Sequence, residues 1–201
     1  MKLAFTLFAA VVMYRISAAE FGAGHLWLLN FSPLASVALC GAVIFPRTVA
    51  LLLPQFILLV SDVVLNAHLG APFVTAEMLP RYAALMLIAV LGLRLRECRA
   101  AGPFLFASVA GSTGFYLITN TASWLGSPGY AKTAAGWSQA LIVGLPGYPP
   151  TWLFFRNSLV SDACFTAAFL GILTLARRTK TAGENMAASD CLDERPAPQQ
   201  A

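Results

Sequence analysis

The sequence predicts an all-α membrane protein, a six-helix transmembrane bundle with both termini in the cytoplasm. Three observations predict it. Of 201 residues, 58% are hydrophobic and 11% charged, against about 45–50% and about 25% in a soluble domain. The mean hydropathy is +0.72. Apolar runs recur along the chain, and a spanning helix needs roughly 20 such residues, or about 17 at the short end. The cations gather at the ends of these runs, which is the orientation signal of membrane helices. No basic patch is interleaved with aromatics. A soluble enzyme, a disordered protein and a nucleic-acid binder are all excluded.

The first run is Leu3 to Ala19. Met1-Lys2 ahead of it and Ser17-Ala18-Ala19 at its end imitate a signal peptide. Arg15 interrupts the stretch before the small residues, so a retained first helix is the expectation. The second run, Leu34 to Phe45, is short and bounded by Pro33 and Pro46, and alone it reads equally as a re-entrant segment. The third, Thr48 to Ala67, carries Pro54, Ser61, Asp62 and Asn66. The fourth covers Met78 to Leu95 and the fifth Phe104 to Trp124. Gly126 to Pro150 is rich in Gly, Pro and Tyr and holds a shorter apolar piece, Trp137 to Leu145. Proline removes donors and fixes the backbone, so this stretch reads as a re-entrant element or lid, or as a long outer loop. The last span is Phe154 to Ala176. The membrane domain is thus residues 1–176, and the polar residues 177–201 are expected to form a disordered cytoplasmic tail.

With the N-terminus inside, Lys2, Arg47, Arg94, Arg96, Arg99, Arg177, Arg178 and Lys180 lie inside. Arg81, Lys132 and Arg156 lie outside. That bias places both termini in the cytoplasm and requires an even number of spans.

Polar residues within the apolar runs carry the functional information, because a charge at mid-membrane costs at least about 2.5–3.5 kcal/mol on insertion scales. Asp62 has Asn66 four residues on, on the same helix face. It reads as a ligand-, ion- or proton-binding carboxylate, or as a structural charge. Arg15 falls at a similar depth and either pairs with it or snorkels to the head groups. The fifth run has a row four residues apart: Ser108, Ser112, Tyr116, Asn120, Trp124. It reads as a pocket wall or as interhelical hydrogen-bond glue. Gly111 and Gly114 offer a smooth patch beside it. Leu-Val-Ser-Asp occurs twice, ending at Asp62 and Asp162. In a six-span chain those helices run oppositely, as in an inverted repeat.

Catalytic and metal signatures are absent. There is no Gly-x-Ser-x-Gly, His-Glu-x-x-His or phosphate loop. Cys40, Cys98, Cys164 and Cys191 form no CxxC, and His25 and His68 lie far from them in sequence. The expectation is a protein that is not an enzyme and has no cofactor, metal or nucleic-acid partner.

Five segments taken in order carry a resemblance. They are Asn30-Phe31-Ser32-Pro33-Leu34, Ser61-Asp62, Gly111-Ser112 to Thr119-Asn120 with Trp124, Gly136 to Gly144-Leu145-Pro146, and Phe155-Arg156-Asn157-Ser158 to Ser161-Asp162. Over residues 12–172 this order resembles a family of small, uncharacterised bacterial multi-pass membrane proteins, with Gly147 to Phe154 as an insertion. That family is similar in layout to the substrate-binding S components of energy-coupling-factor vitamin transporters. The resemblance implies six helices with an outward-facing pocket capped by loops. It makes Asn30, Asp62, Asn66, Tyr116, Asn120 and Trp124 the candidate ligand-binding residues. It also implies uptake of a small hydrophilic metabolite across a bacterial inner membrane. A partner or an ion gradient would supply the energy. A non-transporting membrane scaffold or assembly subunit is the alternative.

Overall fold

The computed structural model describes the backbone of residues 2–22, 25–98 and 100–193, and side chains within 2–19, 25–98 and 100–179. All regular structure among them is helical: α1 Lys2–Gly22, α2 Leu34–Ile44, α3 Arg47–His68, α4 Met78–Arg94, α5 Ala101–Gly126, α6 Ala134–Ile142 and α7 Thr151–Asp193. Four of these, α1, α3, α5 and α7, are long and apolar enough to cross a bilayer. Large apolar side chains point outward from them, with Phe5, Phe56, Phe106 and Ile172 all 60% or more exposed. An apolar exterior of this extent marks a membrane protein.

The shortest of the sequence-predicted spans, α2, sits at the centre. Pro33 and Pro46 confine it to 11 residues, about 16 Å at 1.5 Å per residue. Val37, Ala38, Leu39, Cys40 and Ala42 on it are almost wholly buried. It packs against α3, α4, α5 and α7, while α1 packs on α3. Small residues let the backbones approach. A Cβ at Gly92 of α4 would overlap the Leu39 carbonyl of α2, so only glycine fits there. Of the patch read from the fifth run, Gly111 faces α4, where a Cβ would stand 3.2 Å from Ile88. Gly114 faces open space.

A short central helix among longer ones leaves a gap in the bundle. The chain before α2 fills part of it and is tied to α7. Asn157 Nδ2 donates to the carbonyls of Leu26 (2.7 Å) and Leu29 (3.0 Å). Ser161 Oγ donates to Ser32 O and accepts from Ser32 N, both at 2.8 Å. Thr166, with no exposed surface, links Ser36 of α2 (3.2 Å) to Ser108 of α5 (3.3 Å). The unfilled part of the gap is a cavity.

Beyond Ala176 the helix α7 continues to Asp193. Residues 177–193 contain no proline, the first following at Pro196, and Arg177, Arg178, Ala182, Ala187 and Ala188 among them are good helix formers. Residues 194–201 lie outside the described residues.

Candidate functional site: a polar cavity at one end of the bundle

The C-terminal ends of α1, α3 and α5 and the N-terminal ends of α2, α4 and α7 meet at one end of the molecule. A cavity of about 650 Å³ opens there above the first turn of α2, where Leu34 and Ala35 form part of the lining. The segment between α5 and α7 covers one side with Tyr130, Gly144, Leu145, Tyr148 and Pro149. Thr133 caps α6 by accepting from Gly136 N at 3.2 Å. Gly144 and Gly147 take φ of +79° and +89°, which turn the chain back toward α7 in a conformation glycine adopts readily.

One wall carries two guanidinium groups. Arg15 of α1 and Arg81 of α4 both line the cavity, and both are anchored from behind by Asp62 of α3. Arg15 Nη2 is 3.2 Å from Asp62 Oδ1, and Arg15 Nε donates to Ser61 Oγ at 2.7 Å. Arg81 Nη2 is 3.6 Å from Asp62 Oδ2, an ion pair too long for a hydrogen bond. Asp62 is 3% exposed and does not itself reach the cavity.

A second wall, from α5 and α7, carries Asp162. It lines the cavity, is 6% exposed, and pairs with no cation among the described residues. Ser112 Oγ lies 2.6 Å from its Oδ2 and 2.9 Å from Ser108 O. A hydroxyl has one proton, so it serves one of these acceptors at a time. Ser36 of α2 donates to the Asp162 carbonyl at 3.1 Å. That places Asp162 beside the N-terminal turn of α2, whose partial positive charge favours an anion. The same wall carries aromatic rings. Tyr116 stacks on Phe155 with centroids 4.6 Å apart, and Phe115 and Phe154 join it in the lining.

Of the residues singled out in the sequence, Asn30, Tyr116 and Asn120 line the cavity. Asn30 does so from a left-handed backbone, φ +58°, which asparagine tolerates better than most residues. Asp62 stands one layer behind. Asn66 and Trp124 are elsewhere. Asn66 Nδ2 donates to Pro72 O at 3.2 Å. Trp124 Nε1 donates to Ala131 O at 2.8 Å, and Lys132 lies against its ring and donates to its carbonyl. Both fasten loops. The row on α5 therefore divides by depth: Ser108 is buried between helices, Ser112 is buried yet lines the cavity with Tyr116 and Asn120, and Trp124 closes the loop beyond.

Two contributors escaped the sequence reading of the site. Arg81 was counted as an outer cation, although its place in the first turn of α4 puts it level with Asp62. Asp162 had a signal in the repeated Leu-Val-Ser-Asp and in sharing a helix face with Ser158, which also lines the cavity.

A helical bundle with an apolar exterior is, as a class, a membrane protein, and here a polar cavity opens at one end of it. The chain belongs to a family of unknown function, DUF6580, which matches residues 1–185. No curated protein and no solved structure matches it.

Proposed function

We propose that this protein binds a small hydrophilic solute from outside a bacterial inner membrane for uptake, in the manner of a transporter S component. In this reading α1 to α5 and α7 make six crossings and both termini are cytoplasmic. The cavity carries the proposal. About 650 Å³ lies within the usual range of small-molecule sites, about 300–1,000 Å³. Its lining mixes paired charges, amides and aromatic rings, which suits a polar solute. Its position supports the direction: Arg96, Arg177 and Cys98 gather at the opposite end, so the positive-inside bias turns the cavity outward. The chain has no nucleotide-binding motif, and a membrane partner or an ion gradient would energise transport.

Gentle purification followed by denaturation and mass spectrometry of the released small molecules tests this. One hydrophilic metabolite should be enriched over a control membrane protein and depleted in Asn120→Ala. If nothing is enriched, and no compound in a broad metabolite panel raises the Tm, solute binding is refuted.

A further inference from the structure

The charges around the cavity are segregated, and their segregation bears on what it holds. Arg15 and Arg81 share the single carboxylate of Asp62, so that wall presents one surplus positive charge. Both guanidiniums reach the lining while Asp62 stays behind them. Each has donors left over, because a guanidinium carries five. Arg15 uses Nε on Ser61 and one Nη on Asp62. Arg81 uses Nε on Glu77 O at 3.3 Å. A wall of this kind recognises a carboxylate or phosphate.

Asp162 provides the complement. It is a nearly buried acid on the lining with hydroxyl and helix-terminus support but no cation. A buried charge without a partner is costly, and an ammonium entering the cavity would supply that partner. The one other acid on the lining, Glu77, is exposed and makes no ion pair among the described residues. With the exposed Glu77 set aside, Arg15 and Arg81 match Asp62 and Asp162 in number, but the arginines and Asp162 stand on different helices, with aromatic rings on the Asp162 wall.

Resting on the solute-binding reading above, we infer that the occupant is a zwitterion, with its acidic group on Arg15 and Arg81, its ammonium group on Asp162, and its apolar part against Phe115, Tyr116 and Phe154. A free amino acid and the head group of a zwitterionic lipid share this chemistry.

Thermal unfolding of the full-length protein in neutral detergent tests the inference with compounds sorted by charge. The zwitterions are the proteinogenic amino acids and glycerophosphoethanolamine. The matched controls each lack one charge, such as 3-phenylpropanoate and 2-phenylethylamine for phenylalanine. Phosphatidylethanolamine is the lipid arm, and sugars, nucleosides and vitamins form the uncharged and mixed arm. At least one zwitterion should stabilise the protein, and its acid-only and amine-only counterparts should bind about tenfold or more weakly, as expected for loss of a charge-assisted contact. Asp162→Asn should erase the preference for the zwitterion over the matched acid. Arg81→Gln should erase its preference over the matched amine. These ratios are read within one variant and do not depend on its stability.

Stabilisation by phosphatidylethanolamine alone assigns the zwitterion site to lipid and overturns solute uptake. Stabilisation by acids as strong as by zwitterions overturns the inference, as does stabilisation confined to sugars, nucleosides or vitamins. Both of these leave solute binding standing. Silence of every class overturns both.

Discussion

Leu59–Asp62 of α3 and Leu159–Asp162 of α7 have the same four residues at the same end of the bundle. In each the serine has no exposed surface and the aspartate is nearly buried. Their surroundings separate them. Ser61 turns its proton to its own helix, toward Ile57 O (2.8 Å) and Leu58 O (3.0 Å), and accepts from Arg15. Asp62 then holds two guanidiniums in place. Ser161 instead clasps Ser32 in the chain before α2, and Asp162 meets only the Ser112 hydroxyl. One carboxylate is spent on structure and the other remains available. Local sequence decides that a buried acid occurs; the neighbouring helices decide its role.

The largest test of this difference is on stability. In Asp62→Ala, Arg15 and Arg81 lose their shared counter-charge. Breaking a buried ion pair from one side costs about 3–5 kcal/mol. Arg81 is a third exposed, which places the expected loss near the lower end. Asp162→Asn removes no partner of a cation and keeps an oxygen for Ser112, so its cost should stay within about 1 kcal/mol. Denaturant unfolding in micelles measures both. Equal losses at the two positions would erase the distinction drawn between them.

A middling effect is expected where α2 is seated. Asp162 owes its support to α2 through Ser36, and α2 owes its position to Gly92. Gly92→Ala drives a methyl into the Leu39 carbonyl, and backbone offers no rotamer to escape with. Overpacking of this kind costs about 1–3 kcal/mol. Because α2 holds Asp162 through Ser36 and carries no member of the Arg15–Asp62–Arg81 group, solute affinity should fall through the Asp162 wall. The zwitterion-over-acid ratio should drop more than the zwitterion-over-amine ratio. Unchanged stability would mean that the two backbones are not in contact.

How much of this was legible depended on which interactions act locally. Helix positions follow from apolar run length, so the described helices fall within a few residues of the runs read from the sequence, except at the C-terminal end of α7, which continues to Asp193. Prolines fix the length of α2, but its central place comes from the four helices packed against it and has no local signature. Tyr116 and Asn120, which line the cavity, are legible because a polar residue in an apolar stretch is conspicuous, whereas Asn30 lies outside the apolar runs and is legible through the family resemblance alone. Arg81 was not, because a cation near a helix end is ordinary in a membrane protein. Asp162 was noticed but left out of the site, since nothing in its own segment says that no cation meets it. Asn66 and Trp124 had the right periodicity and the wrong depth: within a turn of a helix end, the following loop competes for a polar side chain.

That competition gives the smallest expected effect and the sharpest boundary for the site. Trp124→Phe keeps a ring beside Lys132 and removes only the indole N–H that donates to Ala131 O at 2.8 Å. The contact is partly exposed, so water can replace the lost donor, and the cost should be about 0.5–1.5 kcal/mol. Trp124 is one helical turn beyond Asn120 on the same row, so a periodicity argument gives both the same role. Depth gives them different ones. Asn120→Ala should lower solute affinity with little change in stability, because its amide donates to Tyr116 O of its own helix. Trp124→Phe should lower stability slightly and leave affinity unchanged. An affinity loss in Trp124→Phe as large as that in Asn120→Ala would extend the cavity outward by a turn and make Trp124 itself part of the binding surface.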